Sequence, residues 1–191
     1  MAERKLVRDI GNIDDDVIKA KRIIEDKLLN DEDIITALHN TDIGYNPDVR
    51  EQYLDENIFS FINIPSAQDK VKNFICFAID DIEDHKFNES MKFQYVQFMV
   101  MVHVDDINTP WGMKRHDLLG YLIRDLFNWS NMLGMQLKLI YNKESVTDTN
   151  YQCRTLRFET TKPNSPQRGL RTNKYEYKPI YQDKVRSLND G

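Results

Sequence analysis

The stretch that most constrains this chain is Met91–Asp106, MKFQYVQFMVMVHVDD. It is rich in β-formers, yet it does not alternate cleanly between apolar and polar residues. One parity carries Val96, Phe98, Val100, Val102 and Val104; the other carries Phe93, Tyr95, Met99 and Met101, with Gln97 and His103 among them. A strand that is apolar on both sides has to be covered on both sides. The question for the remaining sequence is what supplies that cover.

The chain upstream supplies helices. Asp14–Asp16 followed by VIKAKRIIEDKLLN reads as a helix: the acids sit where the dipole favours them, and Val17, Ala20, Ile24 and Leu28 form a stripe at helical spacing. Asn30 or Asp31 then caps a shorter helix, EDIITALHN, with Ile34, Ile35 and Leu38 on one side. A loop with Gly44 and Pro47 follows, then an apolar extended piece ending at Pro65. KNFICFAIDDIED, Lys72–Asp84, has the make-up of a strand, and the short turn HKFNES makes it an antiparallel hairpin with the opening stretch.

Downstream, Leu118, Leu119, Leu122, Ile123, Leu126, Phe127 and Leu133 recur at three- and four-residue steps, and Gly134 is expected to end that helix. Two more strands follow, MQLKLIYNKE and NYQCRTLRFET. The last thirty residues have three prolines and no helical stripe, and they read as an arm. The expected fold is therefore α+β: an antiparallel β-β-α-β-β sheet packed on one main helix, with two N-terminal helices and an extended C-terminal arm. Residues 1–65 form the N-terminal helices and loop, 66–161 the core, and 162–191 the basic arm.

With 191 residues, 40% of them hydrophobic, the chain can bury a real core. No apolar run approaches the roughly 20 residues needed to span a bilayer, and the charged N-terminus lacks the apolar centre of a signal peptide. Synthesis in a cytoplasm is the expectation. Cys76 and Cys153 lie in strand sequence without CxxC spacing, which points to buried free thiols. The net charge of -5 is unevenly spread: residues 1–60 hold 15 acids and 8 bases, whereas 161–191 hold 3 acids and 7 bases. An acidic head and a basic tail on one polypeptide favour contacts between copies.

Signals for chemistry are sparse. Asp81, Glu83 and His85 share a parity in DDIEDH, and such a carboxylate–histidine group is what a metal-dependent enzyme acting on nucleic acid would use, with Asp105, Asp106 or His116 completing it. His39, His85, His103 and His116 lack ligand spacing, no GxSxG or HExxH is present, and seven glycines leave little for a phosphate cradle. No cofactor is expected. Lys162, Arg168, Arg171, Lys174 and Lys178, interleaved with Tyr175, Tyr177 and Tyr181, suit either phosphates and bases or an acidic neighbouring subunit; the acidic N-terminal helices favour the neighbour.

From about Phe74 to Thr161 the pieces YVQFMVMVHVDD, RHDLLGYLIRDLFN, GMQLKLIYNKES and TDTNYQCRTLRFET resemble the tail terminator (tail completion) proteins of long-tailed bacteriophages. The marks are Arg115 ahead of Leu118 and Leu119, and Thr147-Asp148 leading into Tyr151–Glu159. The resemblance implies a small α+β subunit that closes into a ring, typically of six copies, at the head-proximal end of the tail tube. Such a ring stops tube growth and meets the head-side connector, and DNA passes through its lumen without sequence readout. It implies a virion protein of the neck with no catalytic residues and no membrane partner. Under that implication, Met99, Met101 and His103 on the strand, and Lys174, Tyr175, Tyr177 and Tyr181 on the arm, are the expected contacts between copies.

Overall fold

The structure, a computed structural model, describes residues 16–43, 47–63, 71–85, 88–147 and 150–163; side chains are described at these positions except at 16, 47–48, 81–85, 88–90 and 147. The acidic start and apolar stripe produce α1, Asp16–Asn30, which buries Ala20, Ile24 and Leu28. Asp31 caps α2, Glu32–Leu38, by accepting from the Ile34 amide at 2.9 Å. His39, at φ 54°, closes that helix in the left-handed region. A 3₁₀ turn over Pro47–Tyr53 leads to a two-residue strand β1, Ile58–Phe59. The long hairpin is β2, Phe74–His85, and β3, Asn88–His103. Helix α3, Arg115–Phe127, then precedes β4, Lys138–Thr147, and β5, Tyr151–Pro163.

The expected α+β architecture is the one observed. Among the described residues five strands lie in the order β1-β2-β3-β5-β4; β1 runs parallel to β2 and every other pair is antiparallel. The N-terminal segment does more than cover the sheet, because β1 joins it. β5 lies between β3 and β4, so among the described residues β4 is the last strand on its side.

Cover on the first face of β3 comes from all three helices. Val96, Phe98, Val100 and Val102 are fully buried there, with Ile75 and Phe77 of β2, Leu156 and Phe158 of β5, and residues from α1, α2 and α3. The centre is aromatic: Phe98 lies 4.7 Å from Phe127 and 5.7 Å from Phe158, ring centre to ring centre, the latter edge-on. On the second face the chain covers one end with its own side chains, Phe59, Phe74, Cys76, Met101, Tyr151 and Cys153.

Helix α3 stops earlier than its apolar pattern predicts. It ends at Phe127 rather than continuing to Gly134. Asn128, Trp129 and Ser130 turn back onto the start of β4 instead. The Asn128 Oδ1 accepts from the Leu139 amide, Trp129 donates its amide to the Leu137 carbonyl at 2.7 Å, and the Ser130 hydroxyl donates to the Phe127 carbonyl. Short polar side chains offer the backbone these alternatives to a helix. Leu133 is still buried, but from a turn.

A buried polar knot joins the helices to the sheet. Arg115, 3% exposed, donates to the Ala37 carbonyl (2.9 Å), the Asp106 carbonyl (2.7 Å) and Asp106 Oδ1 (2.8 Å). Asp106 Oδ2 accepts from Asn73 Nδ2 at 2.7 Å and lies 3.0 Å from His39 Nδ1. Asn73 also donates to the Leu38 carbonyl and accepts from the His103 amide. Removing one member of a buried ion pair strands the other charge. Asp106→Ala is therefore expected to cost about 3–5 kcal/mol in urea denaturation, and a loss within experimental error of zero would contradict the knot's role.

Candidate functional site

Among the described residues, a dense group of chemically capable side chains lies where α3 meets the β4–β5 hairpin. The first turn of α3 supplies His116 and Asp117; β4 supplies Asn142 and Glu144; β5 supplies Arg154. The register makes the grouping, since Glu144 is paired with Arg154 and Asn142 with Leu156, so these side chains share the face beneath α3. His116 is buried, and its Nε2 lies 3.1 Å from Glu144 Oε1 and 3.6 Å from Asp117 Oδ1. The Arg154 guanidinium bonds Asp117 through Nη2 and donates to Asn142 Oδ1 through Nη1 at 2.8 Å.

Gly120 makes this possible. A Cβ there would run into Arg154 Cδ, so the glycine lets the arginine stem lie flat against the helix. Beside it opens a cavity of about 190 Å³ lined by Asp117, Gly120, Tyr121, Arg124, Asn142 and Arg154, with the Arg124 guanidinium 5.4 Å from the Tyr121 ring centre.

His116, Asp117 and Glu144 bring three donor atoms within 4.8 Å of one another, close enough for one divalent cation. The surroundings fit a clamp better. Arg154 already places a positive charge on Asp117. A metal-bound histidine normally passes its second N–H to an acceptor, whereas His116 Nδ1 is buried without a hydrogen-bond partner. If Nε2 carries the proton and donates to Glu144, the orphan is only a lone pair. That arrangement leaves no buried donor unpaired on the ring and ties β4 to α3.

The remaining expected site residues lie elsewhere. Met101 and His103 are buried within the chain, and Met99 is half-buried beside them. Phe59, Phe74 and Tyr151 close over the Met101–His103 end of this stretch from within the chain. His103 is a cap: its Nδ1 accepts from the Asp105 amide at 3.2 Å, and Tyr151 meets the ring edge-on at 5.2 Å. Asp81, Glu83 and His85 lie on the far half of β2, where the pairing slips between Ile82 and Asp84 and again between Asp84 and His85. Glu83 is the extra residue there, so strict alternation does not run through the trio; their side chains lie outside the described residues. Lys174, Tyr175, Tyr177 and Tyr181 also lie outside the described residues. Asp105 is exposed, Asp106 belongs to the knot, and His116 belongs to the clamp.

The clamp escapes a reading of the sequence because its members are far apart along the chain. Its one local mark is the glycine inside the Leu118–Phe127 stripe. A helical glycine with large neighbours signals close approach of another group.

Cys76 and Cys153 are free and buried, as their spacing implies. Burial pushes the Cys76 thiol up to about 11, with a smaller contribution from nearby Cys153, against a lowering hydrogen bond to the Asn63 carbonyl. Burial likewise raises Cys153, Tyr53 and Tyr151.

Taken together, the fold and site define an α+β chain with a clamped strand at its margin. The chain belongs to the YomW family, whose family model matches residues 31–160. That family carries the name of a phage-derived protein, and the match supports a phage-related chain. No curated protein matches the sequence. The matched span runs from the cap of α2 almost to the end of β5, and so includes both the knot and the clamp. No helix among the described residues is long and apolar enough to cross a membrane.

Two measurements test these contacts. Gly120→Ala is expected to lower stability by about 1 kcal/mol, because overpacking against Arg154 outweighs the helix-propensity gain. In an Arg154→Ala background the same change is expected to raise stability by about 1 kcal/mol; equal effects in both backgrounds would disprove the contact. For the thiols, the folded chain holds its protons more tightly than the unfolded chain. The Cys76 contribution is whole below about pH 9 and is lost as pH rises through about 11. Denaturation midpoints should fall across that window, less steeply in Cys76→Ala, and native protein at pH 8 should resist thiol reagents.

Proposed function

We propose that the chain is a non-enzymatic structural subunit of a phage neck, the tail terminator. Copies close into a ring of six at the head-proximal end of the tail, end growth of the tail tube and join the tail to the head-side connector. The protein is made in the host cytoplasm and ends up in the virion. Its partners are further copies of itself, the tail tube protein and the connector, and DNA crosses the lumen without being read.

The observation that carries this reading is an unfinished margin on a finished core. Inside, the core beneath the helices closes around Val96, Phe98, Val100 and Val102. At one margin lies the ten-residue β4, eight of whose residues are exposed, with Ile140 and Tyr141 each 44% and Val146 68% exposed. A long exposed edge strand bearing apolar side chains is a hazard for a lone protein. A ring of identical subunits removes such edges by closure. The YomW match supports the phage setting, and the resemblance of the same sheet-and-helix core to tail terminators supports the position in the neck.

Native mass spectrometry and negative-stain imaging at micromolar concentration test the reading. A closed particle of about six times the 22.6 kDa chain mass is expected. A strict monomer under those conditions would overturn it.

A further inference from the structure

We infer that neighbouring copies join by continuing one sheet: the outer edge of β4 in one copy pairs antiparallel with the free half of β2, Phe77–His85, in the next. This rests on the ring reading and specifies how the ring closes.

The sheet has two open margins. β4 has no neighbour beyond it among the described residues. At the opposite margin β1 covers β2 only at Ile75 and Cys76, so β2 from Phe77 onward has no outer partner among the described residues. The free lengths match closely, because β4 is ten residues long and the uncovered part of β2 runs from Phe77 to His85. Direction also agrees. Successive antiparallel pairs β2-β3, β3-β5 and β5-β4 leave β4 running opposite to β2. A copy added in the same orientation therefore offers β4 an antiparallel partner, which gives well-aligned hydrogen bonds.

The side chains at the two margins are complementary. Aligning the two free lengths with His85 opposite Lys138 sets the exposed acid Asp80 of one margin opposite the exposed base Lys143 of the other, on the same face of the sheet. The free half of β2 carries Asp80, Asp81, Glu83 and Asp84 in its sequence, while β4 carries Lys138 and Lys143. Exposed apolar residues also accompany both margins: Ile140, Tyr141 and Val146 on β4, and Phe61, Ile62 and Val71 in the segments flanking β1 and β2. Charge complementarity of this kind sets partner and register. Pairing β4 with β4 would instead close at two copies and leave β2 open on both, whereas a head-to-tail contact uses both margins of every copy.

Charge exchange on the full-length chain tests the pairing. Asp80→Lys and Lys143→Glu each put like charges across the contact, and each is expected to move assembly to about tenfold higher protein concentration in sedimentation velocity. The double variant restores opposite charges and is expected to assemble within about threefold of the parent. Both positions are exposed, so far-UV circular dichroism and melting should match the parent in all three variants. If the parent forms rings and either single variant assembles as the parent does, the edge-to-edge contact is wrong while the ring reading stands. The contact is equally wrong if the double variant stays as dissociated as the singles. If the parent itself is strictly monomeric, the ring reading and this contact fall together.

Discussion

The structure depends on one buried guanidinium. Arg115 stands at the start of α3 and reaches the last turn of α2 through the Ala37 carbonyl, while Asp106, just past β3, holds its other side. Asn73, at the start of β2, bonds both Asp106 and the Leu38 carbonyl. Four segments distant in sequence thus share one set of charge-assisted hydrogen bonds. The net contribution of such a pair to stability is modest once desolvation is counted. Its effect is on specificity: amphipathic helices can slide along an apolar sheet, but only one placement satisfies Arg115, Asp106 and Asn73 together. The left-handed turn at His39 serves the same end by bringing its ring to Asp106 as the chain leaves α2.

That division of labour explains what is legible in the sequence. Periodicity locates α1, α2, α3 and the hairpin because burial of Ile24, Leu28, Ile34 and Phe98 is written locally, at steps of two or of three and four residues. The cap at Asp31 is legible for the same reason. The end of α3 is not. The apolar stripe continues to Leu133, but burial does not require a helix, and Asn128 and Ser130 have stronger local hydrogen bonds to make. The polar sites are illegible for a different reason. Arg115 with Ala37, His116 with Glu144 and Arg154 with Asp117 are brought together only by strand order and helix crossing, which no spacing rule encodes.

The long strand β3 shows the same limit. Its two apolar parities demand cover on two sides, but nothing in their spacing says that the two sides are met differently. On the helical side, Val96, Phe98, Val100 and Val102 lie under three helices. On the other, a compact cluster closes over Met101 and His103, while Tyr95, Gln97 and Met99 stay half-buried and Arg157 stacks 4.2 Å from the Tyr95 ring centre. The transition from core to polar surface therefore occurs along a single strand face.

The clamp beneath α3 acquires a meaning from where β4 sits. A terminal strand held only by its ladder to β5 would fray, and any partner would have to order it at an entropic cost. His116–Glu144 and the Arg154 bridge from Asp117 to Asn142 anchor the near face of β4 to a helix that is itself pinned by Arg115. The strand is thereby held in shape while no described strand pairs with its outer edge. The bulge at Ile140 and the charges of Lys143 and Glu144 break up the flat apolar edge that would invite unselective pairing. A margin that is both rigid and selectively blunted suits a strand that pairs with one particular neighbour, and the knot at Arg115 transmits that rigidity from the helical layer to the edge.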